Sequence, residues 1–290
     1  MTVLVLIANP AAPVLSHQLL TTIQHSTGGE INWLNRHIAA EIVGPEEPDS
    51  LAIAREAVGT LPLDVAEVSA THRKKQLLVA DMDSTMIEQE CIDELADAVG
   101  IKAEVAAITE RAMNGELNFE QALRTRVGLI KGLERRIIEE IRRERITLAP
   151  GSRALVQTMR SFGAYTSLVS GGFTIFADYI ARRIGFDEAV ANALEFNGDV
   201  LTGTVASPIV DKTTKLDRLT ALATERNLPM AATLAVGDGA NDLDMIRAAG
   251  MGVAIHAKPH VAAAAGVRID HGDLTSLLYL QGYTDEDIVR

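Results

Sequence analysis

Short apolar runs punctuated by Pro, Gly and Asp recur along the whole chain, and their spacing separates it into two parts. Over residues 1 to about 72 the pattern predicts a strand (2–8), a helix (13–26), a strand (31–43), a helix (50–60) and a strand (63–70). Such a series makes a small α+β module with a core of its own. Thr71-His72-Arg73-Lys74-Lys75 is polar and basic between two apolar runs and reads as a solvated linker, so domains are expected at 1–72 and 73–290. From Gln76 onward, apolar strands at 77–82, 164–169, 190–196, 232–236, 252–255 and 267–269 alternate with helical stretches, the rhythm of an α/β, doubly wound parallel sheet. One interval departs from that rhythm. Residues 88–146 carry helical periodicity with many charges, which predicts a helical cap inserted at about 88–147 over the sheet.

Ligands of such sheets bind beyond the carboxyl ends of the strands, and three strand ends here carry polar clusters. Leu77-Leu78-Val79-Ala80 is followed by Asp81-Met82-Asp83-Ser84-Thr85. In an extended chain residues i and i+2 point the same way, so Asp81 and Asp83 converge, and adjacent carboxylates repel unless a cation or a shared proton relieves them. The pairing suggests a metal-assisted nucleophile with an acid/base partner; the plainer alternative is an N-cap for a helical pattern starting at about Ile87. Tyr165-Thr166-Ser167-Leu168-Val169 ends in Ser170-Gly171-Gly172, which either grips phosphate oxygens through a hydroxyl and bare N–H groups or makes a tight turn. Leu234-Ala235-Val236 ends in Gly237-Asp238-Gly239-Ala240-Asn241-Asp242, ahead of a helix from about Leu243. Capping explains one acid there but not paired acids at two ends of one sheet. Hard oxygen ligands in this number suit Mg²⁺. Lys215 opens a helical stretch through Leu216, Leu219 and Leu222, where a cation opposes the helix dipole; either it offsets the clustered acids and a phosphate, or it is solvent-exposed like Lys212.

Composition narrows the partners. The chain is 290 residues long, 47% apolar and 23% charged, an ordinary globular balance. A formal charge of −12 argues against a nucleic-acid backbone as partner and for small, locally captured anions. The single cysteine, Cys91, excludes an intramolecular disulfide, fits a reducing compartment and, with no histidine nearby in sequence, is expected to be buried packing. His256 and His260 stand four apart like a metal pair, but Pro259 between them disfavours a helix, so packing at the surface or in the core is expected. The apolar stretch from Met1 to Ala8 has no preceding Lys or Arg and stops at Asn9-Pro10, so it reads as a strand and not as a signal peptide. No run reaches the ~18 apolar residues of a membrane span, and a cytoplasmic protein is expected.

In this order, Asp-Met-Asp-Ser-Thr at 81–85, Ser-Gly-Gly at 170–172, Lys215 and Gly-Asp-Gly-Ala-Asn-Asp at 237–242 resemble the motifs of the haloacid dehalogenase (HAD) superfamily. Glu88-Gln89-Glu90-Cys91 and the stretch from Asn118 to Val127 carry the likeness into the cap, toward the members that act on phosphoserine, over roughly residues 76–280. The N-terminal module resembles, more loosely, the ACT-like extensions of some members. The resemblance implies a HAD-like Rossmannoid core with a helical cap. It also implies Mg²⁺-dependent hydrolysis of O-phospho-L-serine through an aspartyl-phosphate, the last step of serine biosynthesis.

By the same resemblance Asp81 is the nucleophile and Asp83 the general acid and base. Asp81, the Asp83 carbonyl and Asp238 hold the metal, with Asp242 in support. Ser170, Gly171 and Lys215 hold the phosphate, and Asn241 orients substrate or phosphate. Glu90 and Arg126 take the substrate's ammonium and carboxylate, and Phe119 closes the apolar side. From spacing alone Glu90 and Arg126 are exposed helix charges. Rival readings are another small phosphate monoester, transfer to an alcohol instead of water, and an amino-acid sensor with a vestigial phosphatase domain. A small-molecule substrate is the expected partner, without nucleic acid or membrane. The N-terminal module is left to regulation, to a homodimer contact or to stability.

Overall fold

The structure, a computed structural model, describes residues 1–113 and 116–290. Its first elements are β1 (Thr2–Ala8), α1 (His17–Thr27), β2 (Glu30–Asn35), β3 (Ala39–Val43), α2 (Ser50–Val58) and β4 (Leu63–Ser69). The four strands pair antiparallel in the order β2-β3-β1-β4, the split βαβ arrangement. The single strand predicted over 31–43 is instead a hairpin, reversed at Arg36-His37-Ile38, where His37 takes a left-handed φ of 66°. β1 is apolar at nearly every position because both its faces are buried. Leu4, Leu6 and Ala8 pack with Leu20, Ile23, Ala54 and Val58 beneath α1 and α2, whereas Val3, Val5 and Ile7 join the main core.

The chain continues through β5 (Leu77–Ala80) and four helices, α3 (Cys91–Ala98), α4 (Lys102–Met113), α5 (Phe119–Leu129) and α6 (Arg135–Glu144). These fill the interval expected to form a cap, within which residues 114–115 lie outside the described residues. Then follow α7 (Ser152–Ser161), β6 (Tyr165–Phe173), α8 (Thr174–Ile184), β7 (Glu188–Asn192), β8 (Leu194–Asn197), β9 (Val200–Val205) and α9 (Lys212–Glu225). The last elements are β10 (Thr233–Gly237), α10 (Leu243–Ala248), β11 (Met251–Ile255), α11 (Pro259–Ala264), β12 (Val267–Ile269) and α12 (Ser276–Leu280). Six strands form one parallel sheet in the order β12-β11-β10-β5-β6-β7. β5 comes first of these in sequence yet lies between β10 and β6, so strand order reverses on either side of it. A crevice opens at its carboxyl end for that reason.

Three expectations change. The strand predicted over 190–196 divides, because β7 closes the parallel sheet and β8 leaves it to pair antiparallel with β9. Asn197-Gly198, with Gly198 at φ 61°, is the hairpin signal that reveals this turn. The basic segment 71–75 is solvated only in part: Thr71, His72 and Lys74 are exposed, whereas Arg73 and Lys75 sit in a seam. Arg73 pairs with Glu41 at 2.7 Å and donates to Leu280 O at 2.9 Å, while Lys75 is buried with its Nζ donating to Ala231 O at 2.7 Å. Pro259 opens α11 at its first position, where the missing N–H costs nothing. His256 lies outside that helix, and both it and His260 are exposed, as surface packing predicted. Among the described residues no helix is long and apolar enough to cross a membrane.

Candidate active site

β5 stops at Ala80, two residues earlier than its apolar pattern predicted, although the Asp81 N–H still bonds Val236 O at 3.0 Å. The chain then turns, with Ser84 at φ 54° and the N–H groups of Met86 and Ile87 both directed at Met82 O. Asp81 and Asp83 therefore meet through a loop and not through strand alternation. Both are buried and both line the same cavity. The N-cap alternative fails, since no helix starts between Asp81 and Cys91, and Glu90, in the cap position of α3, makes no capping bond. Asp83 instead binds the start of α3 from outside: its Oδ1 accepts from the Cys91 N–H at 2.8 Å. Cys91 is buried, and burial beside Asp83 pushes its thiol pKa up, so it packs and does not react.

The second strand end approaches Asp83 from the other side. β6 runs on through the predicted turn to Phe173, its pairing with β7 shifting between Val169 and Phe173. Ser170 Oγ donates to Asp83 Oδ2 at 3.3 Å and accepts from the Gly172 N–H at 2.9 Å. Neither glycine has room for a side chain. A Cβ on Gly172 would lie 2.5 Å from Asp83 Oδ2, and one on Gly171 would lie 2.7 Å from Phe119 Cζ. Asn192, which sequence reasoning missed, fixes this segment by donating to Gly171 O at 2.8 Å while its Oδ1 accepts from Val210 N at 2.8 Å. A lone Asn at a strand end carries no local signal for that role.

Carboxylate oxygens of Asp81, Asp238 and Asp242 lie within 4.8 Å of one another, all buried. Lys215 sits among them fully buried, 2.7 Å from Asp81 Oδ1 and 2.6 Å from Asp242 Oδ1. Asp211 caps α9 with a reciprocal box to Thr214, which places Lys215 in the first turn facing the acids. Burial works to neutralise Lys215, but Asp242 and Asp81 together overcome it and raise its pKa above the usual ammonium value. Asp242 stands at the N-cap position of α10 but makes no capping bond to that helix; its second oxygen turns back to accept from the Gly239 N–H at 3.0 Å, closing the short turn Ala240–Asp242. With both Asp242 oxygens engaged, Asp81 and Asp238 remain to receive a cation. Burial, and then the charges of Glu90, Asp242 and Asp81, hold the Asp238 carboxyl well above its ordinary pKa. Hard oxygen donors carrying surplus negative charge fit a small divalent cation. Thr85, the last residue of the Asp-Met-Asp-Ser-Thr stretch, steadies Asp238 Oδ1 at 3.2 Å.

From the cap, Glu90, Phe119 and Arg126, and from the turn after β10, Asn241, line the same cavity as Asp81, Asp83 and Gly171. Glu90 keeps one edge toward the cavity but is otherwise enclosed, and this burial, with the charge of Asp83, raises its pKa to about 8. Its Oε1 accepts from Ser84 Oγ at 2.6 Å. Arg126 is buried and not the exposed helix charge that spacing alone suggests. Burial raises the Asp83 pKa to about 6, with the charge of Asp81 adding to it against the hydrogen bonds from Cys91. A group there exchanges a proton readily near neutrality. One cavity is thus lined by Asp81, whose carboxylate stands beside those of Asp238 and Asp242, by a second carboxyl of raised pKa, and by an acid and a guanidinium from the cap.

The family model of haloacid dehalogenase-like hydrolases matches residues 78–247. A phosphoserine phosphatase of Streptomyces coelicolor is 44% identical over 244 residues, 83% of this chain and 59% of that protein, so the chain spans well under two thirds of this relative. The unliganded crystal structure of a probable phosphoserine phosphatase from Vibrio cholerae superposes with a TM-score of 0.78 at 35% identity, covering 97% of this chain and 86% of that one. A phosphoserine phosphatase solved as a phospho-aspartyl intermediate analogue superposes with a TM-score of 0.68 at 38% identity, covering 71% of this chain and 98% of that one.

Proposed function

The chain belongs to the haloacid dehalogenase-like hydrolases, and from that premise we propose that it hydrolyses O-phospho-L-serine to L-serine and phosphate through an aspartyl-phosphate on Asp81. The observation that carries this reading is that Glu90 and Arg126 line the same cavity as Asp81 and Asp83. A phosphorylated amino acid needs a phosphate corner at one end and, at the other, an acid for its ammonium and a fork of N–H donors for its carboxylate. The names of the relatives support the same substrate.

Asp81 attacks phosphorus in line, and the bond to the seryl oxygen breaks as Asp83, protonated at that moment, gives the departing oxygen its proton. Asp83, now a carboxylate, takes a proton from the water that attacks the phospho-aspartate, releasing phosphate and restoring Asp81. A carboxyl pKa of about 6 leaves both protonation states accessible for these two half-reactions. Asp81, the Asp83 carbonyl and Asp238 would hold a magnesium ion, whose charge would offset that between the anionic nucleophile and the anionic phosphate. Lys215 pairs with Asp81 at 2.7 Å, and Ser170 and the Gly171 N–H hold transferring oxygens. Asn241 orients the phosphate, and Phe119, whose ring tip abuts Gly171, keeps water out until serine has left. The reaction runs in the cytoplasm on a free small molecule.

Two substitutions test the parts separately. Arg126→Ala raises KM for phosphoserine at least about tenfold and leaves KM for an aryl phosphate unchanged, because only the former offers a carboxylate. Equal effects on both substrates remove Arg126 from recognition. Gly172→Ala drives a methyl group into Asp83 Oδ2. Steady-state turnover of every phosphate ester then falls by about 10²-fold, the scale on which ångström-level misplacement of a reacting group is felt.

A further inference from the structure

Arg126 does not stand alone in the cap. Its Nε donates to Ala122 O one turn earlier in α5 at 3.2 Å, and its Nη1 donates to Thr109 Oγ1 of α4 at 2.9 Å. Thr109 Oγ1 in turn donates to Asp93 Oδ1 of α3 at 2.9 Å. A hydroxyl has one proton, and the Val105 carbonyl lies 3.1 Å away as a competing acceptor. The carboxylate is nearer and charged, so it takes that proton and leaves the oxygen lone pairs of Thr109 turned toward the guanidinium. Thr109 is 3% exposed and Arg126 6%, so this chain of contacts is sheltered from water. Of the five N–H donors of an arginine, two are engaged in this way, and among the described residues Nη2 has no protein partner.

We propose that Thr109, backed by Asp93, is a positioning residue that fixes the Arg126 guanidinium so that its Nη2 edge meets the substrate carboxylate. One residue from each of three cap helices makes the relay, so the packing of α3, α4 and α5 against one another sets the angle of the guanidinium. The inference rests on the phosphoserine reading and deepens it by saying what gives Arg126 its aim. Arginine carries several rotatable bonds, and without a second tether its fork samples orientations that a carboxylate cannot match bidentately. Leucine or valine in place of Thr109 would pack equally well in the apolar cap, yet would leave the Nη1 proton without its partner.

The test compares Thr109→Val, which keeps shape and removes the hydroxyl, with Thr109→Ser, which restores it, using steady-state kinetics on phosphoserine and on an aryl phosphate with Mg²⁺. The expected result for Thr109→Val is a rise of about tenfold in KM for phosphoserine, with kcat and the aryl phosphate KM within about threefold of the parent chain and recovery in Thr109→Ser. Asp93→Asn moves KM for phosphoserine in the same direction by less. An unchanged KM for phosphoserine in Thr109→Val overturns the proposal, as does an equal loss on both substrates or a failure of Thr109→Ser to recover. A parent chain that does not prefer phosphoserine over the aryl phosphate refutes the underlying reading instead, so the two failures are distinguishable.

Discussion

Asp81→Asn lowers phosphate release by more than about 10⁴-fold, on the scale of losing a covalent nucleophile, while the protein stays folded and its melting temperature does not fall. The amide is nearly isosteric with the carboxylate but is a poor nucleophile at phosphorus. The stability half of the expectation follows from the charges around it. Asp81, Asp238 and Asp242 crowd their oxygens within 4.8 Å, and removing one negative charge relieves repulsion. Lys215 keeps its bond to Asp242 at 2.6 Å, so no buried cation is orphaned. Phosphate release and a melting curve on the same preparation check both halves. Residual turnover near the parent rate removes Asp81 from the nucleophile's role, and unfolding of the variant refutes the electrostatic account of the site.

Lys215→Met has the opposite balance and loses both activity and stability. It takes a fully buried cation away from two carboxylates that lie 2.7 and 2.6 Å from it. Breaking a buried pair by removing one partner costs about 3–5 kcal/mol, because the remaining charge has neither water nor a counter-ion. The methionine stem preserves most of the packing, so the loss reports charge and not volume. Acids deprived of their cation hold protons more tightly in the folded than in the unfolded chain, so stability falls as pH rises. The deficit measured by urea denaturation is therefore larger at about pH 8 than at about pH 5. A deficit independent of pH contradicts this assignment of the loss to uncompensated carboxylates.

How much of this could be read from the sequence depends on where the information is local. Asp81, Ser170 and Asp238 each follow an apolar run that ends in turn residues, and those runs are adjacent parallel strands, so their meeting at one edge of the sheet was legible. The parallel sheet was legible for the same reason, since strands buried on both faces read as unbroken apolar runs. Glu90 and Arg126 were not legible from periodicity. They lie in or beside charged amphipathic helices, and only the packing of α3, α4 and α5 turns them inward. Thr109 and Asp93 gave less still, because nothing in the pattern of a helix says which polar residue will face a neighbouring helix. The hairpin at His37 and the departure of β8 from the parallel sheet escaped notice because turns within apolar stretches depend on single residues, a left-handed His37 in one case and Asn197-Gly198 in the other. Segment 71–75 looked solvated because basic side chains usually are. Arg73 and Lys75 are held instead by carbonyls and Glu41 across the seam between the two sheets, while Lys74 stays exposed.

The most direct test of the account is phosphate release from L-phosphoserine, phosphothreonine and an aryl phosphate at matched concentration, each with and without Mg²⁺. Turnover is expected to require Mg²⁺ and to favour phosphoserine strongly, since Asp81, Asp83, Glu90 and Arg126 line one cavity and Asp81 stands beside Asp238 and Asp242. Equal turnover of the aryl phosphate contradicts the substrate, and release that is indifferent to Mg²⁺, or absent altogether, contradicts the chemistry.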